Sequence, residues 1–296
     1  MKIIDVHTHG ISGFDTRTSS EDHICRIAEI QGSHGVSEII PTVYPSSVDT
    51  MRVHMQAIKK AMEKQNRRMG AKPAPAHHRP EAKIIGLHLE GPFLNPARCG
   101  ALNAKSFLAP DERILKKLIE GFEDIIKIIT IAPELEGAVA LIKNMSDAGI
   151  IASMGHSDAT YNSAEAGFHA GARGITHIFN AMRGIHHREP GIAGFGLMNK
   201  DVYIEVIADP FHLHSKMIEF LFSMKNPEKI IIVSDTVKAS KLSADSQGIR
   251  GEDSRLHGGS RTIRESAEQL IQGGLDKEII FKAISDNPAR YVNTPV

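Results

Sequence analysis

The sequence predicts an α/β protein, a (β/α)8 TIM-type barrel. Three observations carry that expectation. Short apolar runs alternate with longer, helix-periodic segments eight times along the chain. Nothing between them reads as a sustained hairpin, so the strands are joined by crossovers and run parallel. The 296 residues come close to the ~250 that such a barrel takes. One catalytic barrel over residues 1–296 is expected, with almost nothing left for a second domain. The alternative, an open doubly wound sheet, lacks its Gly-x-Gly-x-x-Gly signature after the first strand.

The elements follow in order. Ile3–Val6 is the first strand and runs into Asp5-Val6-His7-Thr8-His9-Gly10; period-two alternation puts Asp5, His7 and His9 on one face. Ser19–His34 reads as a helix, with Ser19 or Ser20 as cap and Glu21-Asp22 in its first turn. Strand two is Ser37–Val43, helix two Ser46–Met69. Gly70–Glu81 holds three prolines in twelve residues and is expected as a surface connection. Strand three is Lys83–Leu89, followed by a loop to Ala109 and a helix near Asp111–Phe122. Strand four is Ile126–Ile131, helix four Leu135–Ala148, strand five Ile150–Met154, helix five Ala159–Ala170, strand six Gly174–His177. Asn180–Gly196, rich in glycine and proline, is expected as loop. Strand seven is Tyr203–Ala208, helix seven Ser215–Ser223, strand eight Lys229–Val233. Lys238–Gly259 is a long polar loop, and helices near Thr262–Gln272, Lys277–Ser285 and Pro288–Val292 end the chain.

Composition excludes several function classes. Formal net charge is zero, which gives no reason to expect nucleic acid or an anionic membrane as partner. No apolar run approaches a membrane span. Two cysteines, Cys25 and Cys99, are too few for a disulfide framework or a thiolate metal site. With a strand starting at once after Met1, the expectation is a cytoplasmic enzyme.

The chemistry collects just beyond the strands. Gly86–Gly91 reads Gly-Leu-His-Leu-Glu-Gly, and an apolar strand delivers Glu90 to its tip. Such a charge is costly to bury without a partner. His7 and His9 follow strand one, His156 strand five, His177 and Asn180 strand six, Asp209 and His212 strand seven, and Asp235 strand eight. A barrel places its active site at these C-terminal strand ends. Imidazoles and carboxylates converging there form a zinc-type ligand set. A Lewis-acidic metal makes water nucleophilic near neutral pH. Asp235 is the candidate general base and acid, since Glu90 is better placed to ligate. Such a site hydrolyses amides, related acyl bonds or phosphoesters. His77 and His78 in the proline-rich loop, His23, His34, His54, His169 and Cys99 receive no role, and Met51, Met55 and Met62 read as core packing.

These motifs resemble the N-acetylglucosamine-6-phosphate deacetylase family of the amidohydrolase superfamily. The matching segments are Asp5–Gly10, Gly86–Phe93, Ala152–Ala159, Thr176–Met182, His187–Gly191, Ile207–His212 and Val233–Asp235. The resemblance implies removal of the acetyl group from an N-acetylated amino sugar, foremost N-acetylglucosamine 6-phosphate. It implies Glu90, His156 and His177 as ligands of a divalent metal, Zn2+ first, and Asp235 as acid/base. His7 and His9 would hold a second metal bridged by Glu90. His212 would contact the substrate near the acetyl carbonyl, with Asp209 beside it. Asn180 and Ala181 would contact the sugar phosphate, and Arg188 would pair with that phosphate across a homodimer interface.

The chain departs from that pattern in places. Family members carry a small β-sandwich that these residues do not supply. Ala101-Leu102, Pro210 and the Leu256-His257-Gly258 run replace usual sugar-recognition residues, so the exact substrate stays open. Two other readings compete: a TatD-type metal phosphoesterase or nuclease, and a non-catalytic sugar-phosphate-binding barrel.

Overall fold

Ile4–Thr8 (β1) starts a parallel sheet whose order follows the chain. The computed structural model describes residues 2–70, 80–242, 248–251 and 254–293; His77 and His78 lie outside them. Glu38–Val43 (β2), Leu87–Glu90 (β3), Ile126–Ile131 (β4), Ile151–Met154 (β5), Gly174–Ile175 (β6), Tyr203–Ile207 (β7) and Ile230–Val233 (β8) pair in sequence. The seam between β8 and β1 is joined by Asp235 N to His7 O at 2.9 Å and His9 N to Thr236 O at 2.7 Å. The expected barrel architecture is therefore present.

Each strand is followed by a helix: Glu21–Ser33 (α1), Val48–Gly70 (α2), Glu112–Ile119 (α3), Ala138–Asp147 (α4), Tyr161–His169 (α5), Gly191–Met198 (α6), Ser215–Met224 (α7) and Ile263–Gln272 (α8). Local signals start several of them. Asp111 accepts from Arg113 N and Ile114 N at the head of α3. Thr262 and Glu265 form a capping box on α8. Lys277–Phe281 (α9) and Asn287–Asn293 (α10) follow, linked by a π-helical turn.

Strand alternation builds two apolar layers. Leu87, Leu89, Ile129, Ile204, Val206 and Ile232 face outward into the layer beneath the helices. Ile4, Val6, Ile40, Ile128, Ile151, Tyr203, Ile207, Ile231 and Val233 fill the interior. Tyr291 and Val292 from α10 join that interior cluster. Tyr291 closes one end of it: a Cβ on Gly174 would lie 2.1 Å from its hydroxyl, so only glycine fits at the start of β6.

Four differences from the sequence reading have physical reasons. The pairing register of β1 shifts between Asp5 and Thr8, an irregularity that breaks strict alternation. Asp5 therefore does not share the face of His7 and His9. It bonds Ser234, which joins Thr236, Thr8 and Gln31 of α1 in a network behind the strand. Gly191–Met198 form α6, which takes in the end of the expected loop Asn180–Gly196 despite three glycines, because burial of residues 191–197 overrides weak propensity. Strand three is split, with Lys83–Ile84 pairing separately with β2. A two-stranded hairpin, Gly10–Ile11 with Phe14–Asp15, follows β1. Among the described residues no helix is long and apolar enough to cross a membrane, and Cys25 and Cys99 are free.

Lys225, at the end of α7, gives its ammonium to Gly196 O and Asn199 O, orphan carbonyls at the end of α6. Burial, helped by Lys229, lowers its pKa from 10.5 to about 7. Between those values the unfolded chain binds a proton that the folded chain does not, so this group's contribution to stability rises with pH. Unfolding free energies of wild type and Lys225→Met from denaturant titration should therefore diverge in favour of wild type from pH 7 to 10, by at least ~1 kcal/mol.

Candidate active site

Six side chains from five strand ends meet at the C-terminal mouth of the barrel. Glu90, at the end of β3, is 3% exposed. Its Oε1 lies 3.1 Å from His156 Nε2 and 3.0 Å from His177 Nε2, and its Oε2 lies 3.1 Å from His9 Nε2. His7 Nε2 stands 3.5 Å from Glu90 Oε1 and 3.5 Å from Asp235 Oδ1. Asp235 Oδ1 is 3.6 Å from His9 Nε2. Two triads result, Glu90–His156–His177 and His7–His9–Asp235, each with ligand-type atoms within 4.8 Å of one another.

The backbone is bent to aim them. His156, His177 and Asp235 all have positive φ, at 47°, 31° and 46°. Non-glycine residues rarely adopt this conformation, and it concentrates at functional sites. Asp235 is further held by Gly259, whose N–H donates to its carbonyl at 2.7 Å. A Cβ at Gly259 would sit 1.8 Å from Ser234 O, so glycine alone allows that approach.

Three of the four outer ring nitrogens are occupied. His9 Nδ1 donates to Thr42 O at 3.0 Å, His156 Nδ1 to Arg98 O at 3.0 Å, and His7 Nδ1 to Glu205 Oε2 at 3.1 Å. In the neutral tautomer this turns each Nε2 lone pair inward. His156 and His177 then face each other through Nε2 atoms only 3.2 Å apart. His177 Nδ1 has no partner among the described residues. Burial opposes a charge on Glu90, but the imidazoles of His156 and His9 hold its carboxyl well below the usual range. Burial likewise opposes a charge on His7, yet Asp235, Glu205 and Glu90 raise its pKa well above the ordinary value. Both directions favour negative charge on Glu90 and positive charge beside it. The donor set of imidazole nitrogens and carboxylate oxygens fits one or two divalent cations.

A cavity of about 840 Å³ opens above this cluster. Asn180, Ala181 and His212 line it, as do the departing residues Ala101, Leu102 and His257. Asp209 does not; it is 2% exposed and holds His212 Nδ1 at 2.9 Å from behind, with Ser260 N as a further donor. Burial works against the Asp209 carboxylate, but these bonds lower its pKa to about 2. Arg188 is exposed, outside the cavity lining, with Nη1 3.2 Å from His187 Nε2. Pro210 also lies outside the lining. Among the described lining residues the carboxylates are Glu90 and Asp235, whereas Arg17, Lys238, Arg250 and Arg255 supply cations.

Sequence reasoning missed Tyr44, Arg255 and Glu205. Tyr44 stacks on His9 at 3.8 Å between centroids, and the Arg17 guanidinium lies 4.3 Å from the same ring. Arg255 Nη1 donates to Gly100 O at 2.8 Å. Glu205 stands in an apolar strand, the same signal that singled out Glu90, and could have been found by it.

No family model matches the chain. It is 32% identical over 279 residues to an N-acetylglucosamine-6-phosphate deacetylase of Bacillus subtilis, covering 94% of this chain and 66% of that protein. An N-acetylgalactosamine-6-phosphate deacetylase of Escherichia coli O157:H7 is 30% identical over 256 residues, 86% of this chain and 64% of its own length. A crystal structure of the N-acetylglucosamine-6-phosphate deacetylase of Thermotoga maritima superposes with a TM-score of 0.86 at 26% identity, over 98% of this chain and 77% of that one. The chain belongs to the N-acetylglucosamine-6-phosphate deacetylase family. It spans about two thirds of the length of these curated relatives. A mutant of the Mycobacterium smegmatis member, in complex with N-acetyl-D-glucosamine-6-phosphate, matches over the whole of this chain with a TM-score of 0.84 and 26% identity. The family includes deacetylases named for two epimeric sugars, so membership leaves the sugar open.

Because Glu90 faces both triads, its loss should disturb both. Elemental analysis after loading with a divalent cation and dialysis should find two ions per wild-type chain and one in His7→Ala. Glu90→Gln should fall below His7→Ala. One ion in both wild type and His7→Ala would refute the two-cation arrangement.

Proposed function

We propose that this barrel is a metal-dependent deacetylase that releases acetate from an N-acetylated amino sugar 6-phosphate, with N-acetylglucosamine 6-phosphate as first substrate to test. One observation carries the reading. Asp235 stands within 3.6 Å of the imidazole cluster, in a cavity whose described lining carries four cationic side chains and, besides Asp235, only the carboxylate of Glu90. A proton acceptor beside a cation-seeking cluster suits hydrolysis, and a cationic wall suits an anionic substrate.

In this reading Glu90, His156 and His177 hold one divalent cation, zinc foremost, and His7 and His9 complete a second site. The bound cation supplies Lewis acidity to an amide carbonyl and to water. Asp235 takes a proton from the attacking water and returns it to the departing amine nitrogen, so one carboxylate serves as base and then acid. His212, fixed by Asp209, presents its free ring edge to the acyl oxygen. Asn180 and Ala181 receive the sugar phosphate.

Arg255 belongs to the same side. It anchors on Gly100, where a Cβ would come 3.0 Å from Ala181 Cβ. Arg188 lies outside its own chain's cavity, so in this reading it reaches the phosphate bound by a second copy. Free cysteines fit a reducing, cytoplasmic setting.

Asp235→Asn should lower kcat for acetate release about 10²- to 10⁴-fold while elemental analysis finds the metal retained. Absence of acetate from a panel of N-acetylated sugars, with phosphate released from phosphodiesters instead, would overturn the proposal. Arg255→Ala should raise KM for the phosphorylated sugar about tenfold, about 1.4 kcal/mol of binding, and leave KM for the unphosphorylated sugar unchanged. Equal effects on both would assign Arg255 to loop anchoring alone.

A further inference from the structure

The two halves of the cluster differ in what stands behind them. His9 and His156 give their Nδ1–H groups to neutral carbonyls, Thr42 O and Arg98 O. His177 Nδ1 has no partner among the described residues. Among the described residues of the cluster, His7 alone is backed by a carboxylate, Glu205 Oε2, at 3.1 Å. Glu205 is the middle residue of β7 and lies on the interior face with Tyr203 and Ile207. It is 1% exposed, and its second oxygen, Oε1, is buried without a hydrogen-bond partner among the described residues. A buried carboxylate whose one hydrogen-bonded side-chain partner is an imidazole is a poor arrangement for stability alone. It gains a purpose if that imidazole carries charge or ligates a cation on its far side, since a carboxylate behind a ligating histidine fixes the tautomer and strengthens the ligand.

We propose that Glu205 is a positioning residue that selectively tightens the His7–His9–Asp235 centre and leaves the Glu90–His156–His177 centre unaided. Glu205 does not line the cavity, so it acts through His7 and not on substrate. It places a carboxyl group behind one centre only, which gives the two centres unequal affinities. The inference rests on reading the cluster as a two-cation site, but its test does not use catalysis.

Chelator-stripped wild type and Glu205→Gln would be titrated with Co2+, following heat release and the visible absorption of the bound ion. Two binding steps are expected for wild type. Glu205→Gln should weaken one step about 10- to 100-fold, change its absorption, and leave the other within twofold. Glu205→Asp, which keeps the charge but shortens the reach, should fall between. In a His7→Ala background, Glu205→Gln should have no further effect on Co2+ binding. A purely structural role would lower melting temperature and weaken both steps alike, and would overturn the proposal. So would two unchanged steps in Glu205→Gln. If wild type takes up no divalent ion, the two-cation reading fails together with it; if wild type takes up two and the variant matches it, only the role of Glu205 fails.

Discussion

Glu90 brings a negative charge to a place where water is excluded, and much of the barrel's upper end is arranged around that fact. Burial alone would push its proton back on; four imidazoles from three other strand ends prevent this. The imidazoles are held in turn from behind by Thr42 O, Arg98 O and Glu205. A buried charge therefore organises its surroundings as a set of concentric bonds, each costly to remove because it leaves the next group unpaired.

The barrel supplies what that arrangement needs. An interior layer of branched apolar side chains, closed at one end by Tyr291 and Val292, forms a rigid base below the polar cluster. Above it the chain leaves the regular strand. His156, His177 and Asp235 adopt left-handed backbone two residues beyond the ends of their strands, so that side chains reach inward where a regular strand would carry them past. The strain is tolerable because adjacent backbone bonds hold it, among them Gly259 N to Asp235 O and Asp235 N to His7 O.

Electrostatics divide the cavity by depth. The floor holds both carboxylates, and the wall holds Arg17, Lys238, Arg250 and Arg255. A chain of zero formal charge thus carries several cationic side chains around its cavity, which suits the anionic substrate proposed for it. Asp209, expected to face the substrate, instead supports His212 from the protein side, a division of labour typical of preorganised sites.

The sequence by itself determined the barrel, the order of its strands, and the ligand-type residues that cluster at their ends. Those properties are local: periodicity sets the elements, and a charge or histidine just past an apolar run marks a strand end whatever the strand's neighbours. Tertiary structure alone decided the rest. A one-residue register shift in β1 turned Asp5 away from His7. Burial made a helix of the glycine-rich Gly191–Met198. Glu205, 198 residues from His7 in sequence, became its partner only because closure of the barrel leaves β8 alone between β7 and β1. Arg255 and Tyr44 entered the site through loop packing that no local pattern encodes. Which groups meet across a barrel depends on closure and register, and single-residue shifts change both without altering any pattern along the chain.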